Sequence, residues 1–195
     1  MNLTKNSILA LFSVSNHAVA TAALRGEDVN EPLKGLENIA ESDVMITVGN
    51  ESETSTNVFG RPLQPCSEDG MAKTGFTRSG QCIDQENDTG SHHICIDLSS
   101  TAPDGSDEDF CEVTGQDDWC AEDMPCHEDL NRDCPVENWC VCQWAFERYL
   151  AQAGGCDAVQ VIECDAVNSK AIEAYREDPE EHAAVLACLE SRCNI

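Results

Sequence analysis

Apolar and polar positions along the chain repeat with periods that predict most of its regular elements. Cys142, Ala145, Phe146, Tyr149 and Leu150 recur at three- and four-residue spacing, which predicts a helix over residues 139–153, stopped by Gly154-Gly155. Residues 93–98 alternate, with Ile94, Ile96 and Leu98 on one side, the period of a strand. The apolar run at 158–164 predicts a second strand, and residues 169–177 a second helix. Asp178-Pro179-Glu180-Glu181 opens a third helix: Asp178 is the N-cap, Pro179 lies in the first turn and Glu181 completes a capping box. The apolar face of that helix is Val185, Leu186 and Leu189. No internal repeat is present. The pattern is that of one small α+β domain with short strands and helices collected toward the C-terminus.

The first residues follow a different pattern. Lys5, the apolar run Ile8-Leu9-Ala10-Leu11-Phe12 and the small residues Ala18-Val19-Ala20 form a secretory signal over 1–20, with cleavage after Ala20. Ser13, Ser15, Asn16 and His17 make the stretch too polar and too short for a membrane span, and no second apolar run follows. Residues 21–56 hold no cysteine and no aromatic, so they are expected to be a mobile acidic leader, with Val44-Met45-Ile46-Thr47-Val48 as its one possible edge strand. The packed domain is expected over 57–177, with the last helix at 178–195. Export exposes two glycosylation sequons, Asn50-Glu51-Ser52 and Asn87-Asp88-Thr89.

Composition narrows the function. Of 195 residues, 37 are acidic and 11 basic, a net charge of −26, which excludes nucleic-acid coating and binding to anionic membranes and leaves protein or cationic partners. The 13 cysteines point to an oxidising compartment or to metal. Residues 104–137 carry 13 acids and the single base Arg132, together with Cys111, Cys120, Cys126 and Cys134, as expected of a solvated loop pinned by crosslinks.

Candidate chemistry is confined to thiols, imidazoles and carboxylates. His92, with Cys66, Cys82, Cys95, Cys140 and Cys142, could supply the four tetrahedral ligands that zinc requires. In a strand His93 would share a face with Cys95, while His92 suits a loop just before it. Cys140-Val141-Cys142, placed at a helix start, is either two thiols bridged to different partners or a reducible pair, since a disulfide two residues apart is strained. Cys126-His127 is discounted as a dyad because catalytic partners meet through the fold, not along the chain. The runs at 84–88 and 104–109 could bind calcium weakly but lack the register of an EF-hand loop. No nucleophile elbow, phosphate loop or dinucleotide fingerprint occurs.

Several segments together resemble a known family. They are Asn57-Val58-Phe59-Gly60-Arg61-Pro62-Leu63, Pro65-Cys66-Ser67, Thr74-Gly75-Phe76-Thr77-Arg78-Ser79-Gly80, Cys82, Gly90-Ser91-His92, Cys95 and Trp139-Cys140-Val141-Cys142. In this order the chain resembles the domain of unknown function 2237 over about residues 57–175. It departs from that pattern at Gln81, where the family carries a second adjacent cysteine, at Asn168, where it favours histidine, and at Gly115-Gln116-Asp117. The resemblance implies one small α+β domain without an established activity. It also sorts the cysteines. Cys66, Cys82, Cys95, Cys140 and Cys142 match the family, and the other eight are additions that imply four extra disulfides. The matching five imply an older thiol or metal role.

Two functions follow. One is a secreted, non-enzymatic module that works by binding or as extracellular structure; the other is a thiol-redox or zinc protein built on the family-type cysteines. Six disulfides consume 12 cysteines at most, so one of the 13 stays free or links two chains. Cys193, near the end, is the expected odd cysteine, and a covalent dimer through it is the expected consequence.

Overall fold

In the computed structural model the described residues are 55–106, 109–116 and 119–195. The signal, most of the leader, the expected strand at 44–48 and the Asn50 sequon lie outside them. Strand β1 (Ile94–Asp97) is central in a three-stranded antiparallel sheet, between β4 (Asn138–Val141) and the short β5 (Val161–Ile162). Strands β2 (Asp123–Pro125) and β3 (Asp133–Pro135) form a separate hairpin. Helix α1 (Phe110–Thr114) lies in the acidic stretch, and α2 (Gln143–Ala153), α3 (Ser169–Glu177) and α4 (Ala183–Cys193) follow the sheet. The domain is thus α+β, small and disulfide-rich. Among the described residues no helix is long and apolar enough to cross a membrane.

The alternation at 93–98 does not separate inside from outside, because β1 is covered on both faces: Ile94, Cys95 and Ile96 are all fully buried. Register explains the division. Ile94 pairs with Val141 and Ile96 with Trp139, and these four belong to the main apolar core. Cys95 pairs with Cys140, and this pair joins Cys66, Cys82 and Ala166 in a second buried cluster. The expected helix at 139–153 begins later for the same reason. Trp139, Cys140 and Val141 pair along β1, and the chain turns helical only after Cys142, which is extended at φ −57°, ψ 127°. The face Ala145, Phe146, Tyr149 and Leu150 is buried as expected, and Gly154, left-handed at φ 102°, stops the helix by donating its N–H to Leu150 O.

Helix α3 matches its expected bounds, capped by Asn168, whose side chain accepts from Lys170 N–H. The last helix starts five residues late. Asp178 accepts from Glu181 N–H at 3.2 Å, but this caps a turn, and α4 begins only after His182. Its face Val185, Leu186 and Leu189 is buried. His182 packs on Trp144 and Tyr175, with ring centroids 5.6 and 5.4 Å away, and its Nδ1 lies 2.9 Å from the Glu147 carboxylate.

Six disulfides bind this arrangement: Cys66–Cys95, Cys82–Cys140, Cys111–Cys120, Cys126–Cys134, Cys156–Cys188 and Cys164–Cys193. The eight added cysteines pair among themselves, giving the four expected extra bridges. The odd cysteine is a correction. Cys193 is buried and bonded to Cys164, because the last turn of α4 directs it inward, and the free thiol is Cys142. The acidic stretch is more ordered than a pinned loop, since α1 and the β2–β3 hairpin form inside it, each beside its own short disulfide.

Two outcomes are expected. The Cys156–Cys188 bridge closes a loop of 32 residues, so replacing both cysteines by alanine should cost about 3–4 kcal/mol in urea unfolding. His182 is held above the ordinary imidazole pKa by its hydrogen bond to Glu147. Its stabilisation is therefore complete below about pH 6.5 and is lost as pH rises through the higher folded value. Melting curves from about pH 6 to pH 9 should show that loss in the native protein, and Glu147→Gln should remove it.

Candidate functional site

Cys95 and Cys140 face one another across β1 and β4, yet each reaches outward, to Cys66 and Cys82. The two bridges pin the loop 66–82 against the sheet. Within it Thr74 Oγ1 accepts from Cys140 N–H at 2.8 Å, and Gly80 O accepts from the N–H groups of Cys66 and Ser67. The tight turn that follows, in which Arg78 N–H donates to Gly75 O at 2.9 Å, presents Phe76 and Arg78 outward. Arg78 adopts a left-handed φ of 54°, which costs a non-glycine residue about 1 kcal/mol. Its guanidinium lies 4.7 Å from the centroid of the Trp139 ring, and partial burial lowers its pKa.

His92 forms the facing wall. Its Nδ1 lies 2.7 Å from Asp88 Oδ1, and a carboxylate only accepts, so Nδ1 carries the proton. Asp88 also accepts from the backbone N–H groups of His92 and Gly90, at 2.8 and 3.1 Å. Burial acts to raise the Asp88 pKa, but these bonds and the imidazole outweigh it and hold the carboxyl below its ordinary range. The ring stacks on Phe76 with centroids 6.0 Å apart. Gly90 approaches it so closely that a Cβ there would lie 2.6 Å from His92 Cε1. The imidazole is thus fixed, with Nε2 unpartnered among the described residues. Phe76, Arg78, His92 and Trp139, with Gly75 and Cys140, line a cavity of about 160 Å³, similar in volume to one that admits a benzene ring (~150 Å³).

Four of the six expected metal ligands are oxidised. The sulfurs of Cys66, Cys82 and Cys140 lie within 4.8 Å of one another, but each is in a disulfide, as is Cys95, and a disulfide sulfur lacks the charge of a thiolate ligand. His92 is committed to Asp88 through Nδ1 and does not join the sulfur group. Cys142, half-buried at the start of α2, lines a small cavity of about 60 Å³ with His92 and Trp139. His93 is buried between Gln143 and Asp84, at 2.8 and 3.1 Å.

The acidic runs use carboxylates locally. Asp84 meets His93, Asp88 meets His92, Asp104 accepts from Ser106 N–H, and Asp109 caps α1. A depression of about 400 Å³ beside Asp84 and α3 has one cation among its described lining residues, Lys170, which is paired to Glu173. The residues not expected from sequence as a site are Phe76, Arg78, Asp88 and Trp139. Phe76, Arg78 and Trp139 lay within the family-type segments, but their convergence depends on the disulfides.

Fold and crosslinks define a disulfide-locked α+β domain with a small aromatic and cationic cavity at the edge of its sheet. The chain belongs to the family described as uncharacterized protein conserved in bacteria, DUF2237, which matches residues 56–179, more than half of its length. No curated protein matches it. The family match ends before α4, so Cys188 and Cys193 tie residues beyond the match back to Cys156 and Cys164.

Asp88 contributes stability that is present above the ordinary carboxylate pKa and lost as pH falls through its lower folded value. Asp88→Asn is expected to cost about 1–3 kcal/mol at neutral pH, and the difference from the native protein should vanish in strong acid; urea unfolding at both pH values measures it.

Proposed function

We propose that this is an exported, disulfide-stabilised module that acts by binding, not by catalysis, and that its recognition face is formed by Phe76, Arg78, His92 and Trp139. Six disulfides are the chemistry of an oxidising compartment, which supports the signal read in residues 1–20. The exposed Asn87 sequon is open to glycosylation on that route. One observation carries the binding reading. In a chain with 37 acids, Arg61, Arg132, Lys170 and Arg176 each take a carboxylate, while Arg78, like Lys73, Arg148 and Arg192, takes none among the described residues, and of these four it is Arg78 that is held over an aromatic ring, Trp139, in a strained backbone. A guanidinium left unneutralised amid so much acid, facing an imidazole across aromatic walls, fits a small anion with a flat or apolar body.

The thiol or zinc alternative keeps one specific support. Reduction would free the clustered sulfurs of Cys66, Cys82 and Cys140, close enough to share one metal.

The intact mass of the exported protein, alkylated under denaturing, non-reducing conditions, tests the first part. A chain beginning at Thr21 with one alkylated thiol is expected, falling to none in Cys142→Ser; three to five alkylated thiols would favour the alternative. Benzoate titration followed by tryptophan fluorescence tests the second. Arg78→Gly, which the left-handed backbone accepts, should weaken benzoate at least tenfold, and unchanged affinity would remove Arg78 from the site.

A further inference from the structure

Arg78 borders a second cavity. On its other side lies a cleft of about 350 Å³, within the range of ligand pockets (roughly 300–1,000 Å³), lined by Lys73, Arg78, Met124, Pro125 and Leu130. The cleft is a built feature. Lys73 N–H donates to Pro125 O at 2.9 Å and Ala72 bridges to Cys126, so the loop carrying the two cations is bonded directly to the β2–β3 hairpin. The hairpin is locked by Cys126–Cys134, and Arg78 Nη1 donates to Lys73 O at 3.3 Å, which fixes the guanidinium at the boundary of the two cavities.

The cleft lining combines two cations with three apolar side chains. Lys73 and Arg78 enter no ion pair among the described residues, whose ion pairs use other cations and histidines. The rest of the lining, Met124, Pro125 and Leu130, is apolar, and Leu130 is 63% exposed in the charged segment Glu128-Asp129-Leu130-Asn131-Arg132. Two unneutralised cations beside an uncovered apolar wall complement a ligand with an anionic head and an apolar tail. The protein's net negative field does not decide this contact, because it is screened over about 8 Å at physiological salt.

We infer that the cleft binds a medium-chain aliphatic carboxylate, its head on Arg78 and Lys73 and its tail along Met124, Pro125 and Leu130. The inference rests on the reading of the Arg78 face as a recognition surface and specifies its ligand class.

The test titrates the native, fully oxidised protein with acetate, butyrate, hexanoate, octanoate and octanol, using calorimetry and tryptophan fluorescence. Affinity should rise by up to about fourfold per methylene, the value of a fully buried CH₂. Octanol should bind at least tenfold more weakly than octanoate. Arg78→Gly should weaken octanoate at least tenfold. Leu130→Asp, at an exposed position that the fold tolerates, should abolish the length dependence. If benzoate and acetate bind through Arg78 but chain length adds nothing, the cleft assignment is overturned and the recognition face stands. If no carboxylate of any length binds, both are overturned.

Discussion

Two cysteines directly opposite each other on paired strands decline to bond each other, and the rest of the molecule is arranged around that choice. A bridge between Cys95 and Cys140 would only duplicate a ladder that hydrogen bonds already hold. By reaching instead to Cys66 and Cys82, they fasten a long irregular segment onto the face of the sheet. That segment has little apolar surface of its own to bury, so covalent attachment does the work of a core. The opposite face of the same strands carries Ile94, Ile96, Trp139 and Val141 into the helices. One strand pair therefore serves two kinds of cohesion, covalent on one side and hydrophobic on the other.

The cavity between Phe76, Arg78, His92 and Trp139 depends on this attachment. Arg78 lies on the attached segment and Trp139 on the strand, and their stacking requires both to be held at a fixed distance. His92, just before the same strand, is clamped by Asp88 and Gly90 from its own turn and by Phe76 from the attached segment. The site is assembled from a loop, a turn and a strand, none of which would orient its side chain alone.

Much of the fold was legible in the residues. The face of α2, the bounds of α3 and the buried face of α4 followed from periodicity, because each helix packs one face on the core, and the strand at Ile94–Asp97 was found by its alternation although both of its faces are buried. Periodicity failed where partners decided the outcome. Trp139, Cys140 and Val141 continue a helical pattern but are taken by a neighbouring strand, a pairing 45 residues distant that no local window records. Asp178 has the side chain of a helix cap but caps only a turn. The cysteine division into five family-type and eight added positions anticipated four extra bridges, while position near the terminus was a poor guide to which cysteine stays free. Exposure is set by the direction a helix presents, and α4 turns Cys193 inward. The cavity was the least legible part: Phe76 and Arg78, His92 and Trp139 come from three separate stretches of the chain, which the crosslinks hold together.

The attachment of α4 has a further consequence, for the integrity of the chain after it is cut. The turn before α4, Asp178 to Glu181, is exposed and rich in acidic residues. A protease that opened the chain there would not release the helix, because two bridges on its inward face join it to Cys156 and Cys164. Such a molecule would keep its core, gain only the one water of hydrolysis, and separate into two fragments only when reduced. Under oxidising conditions, a single nick at that turn would leave the cleaved chain held together as one body.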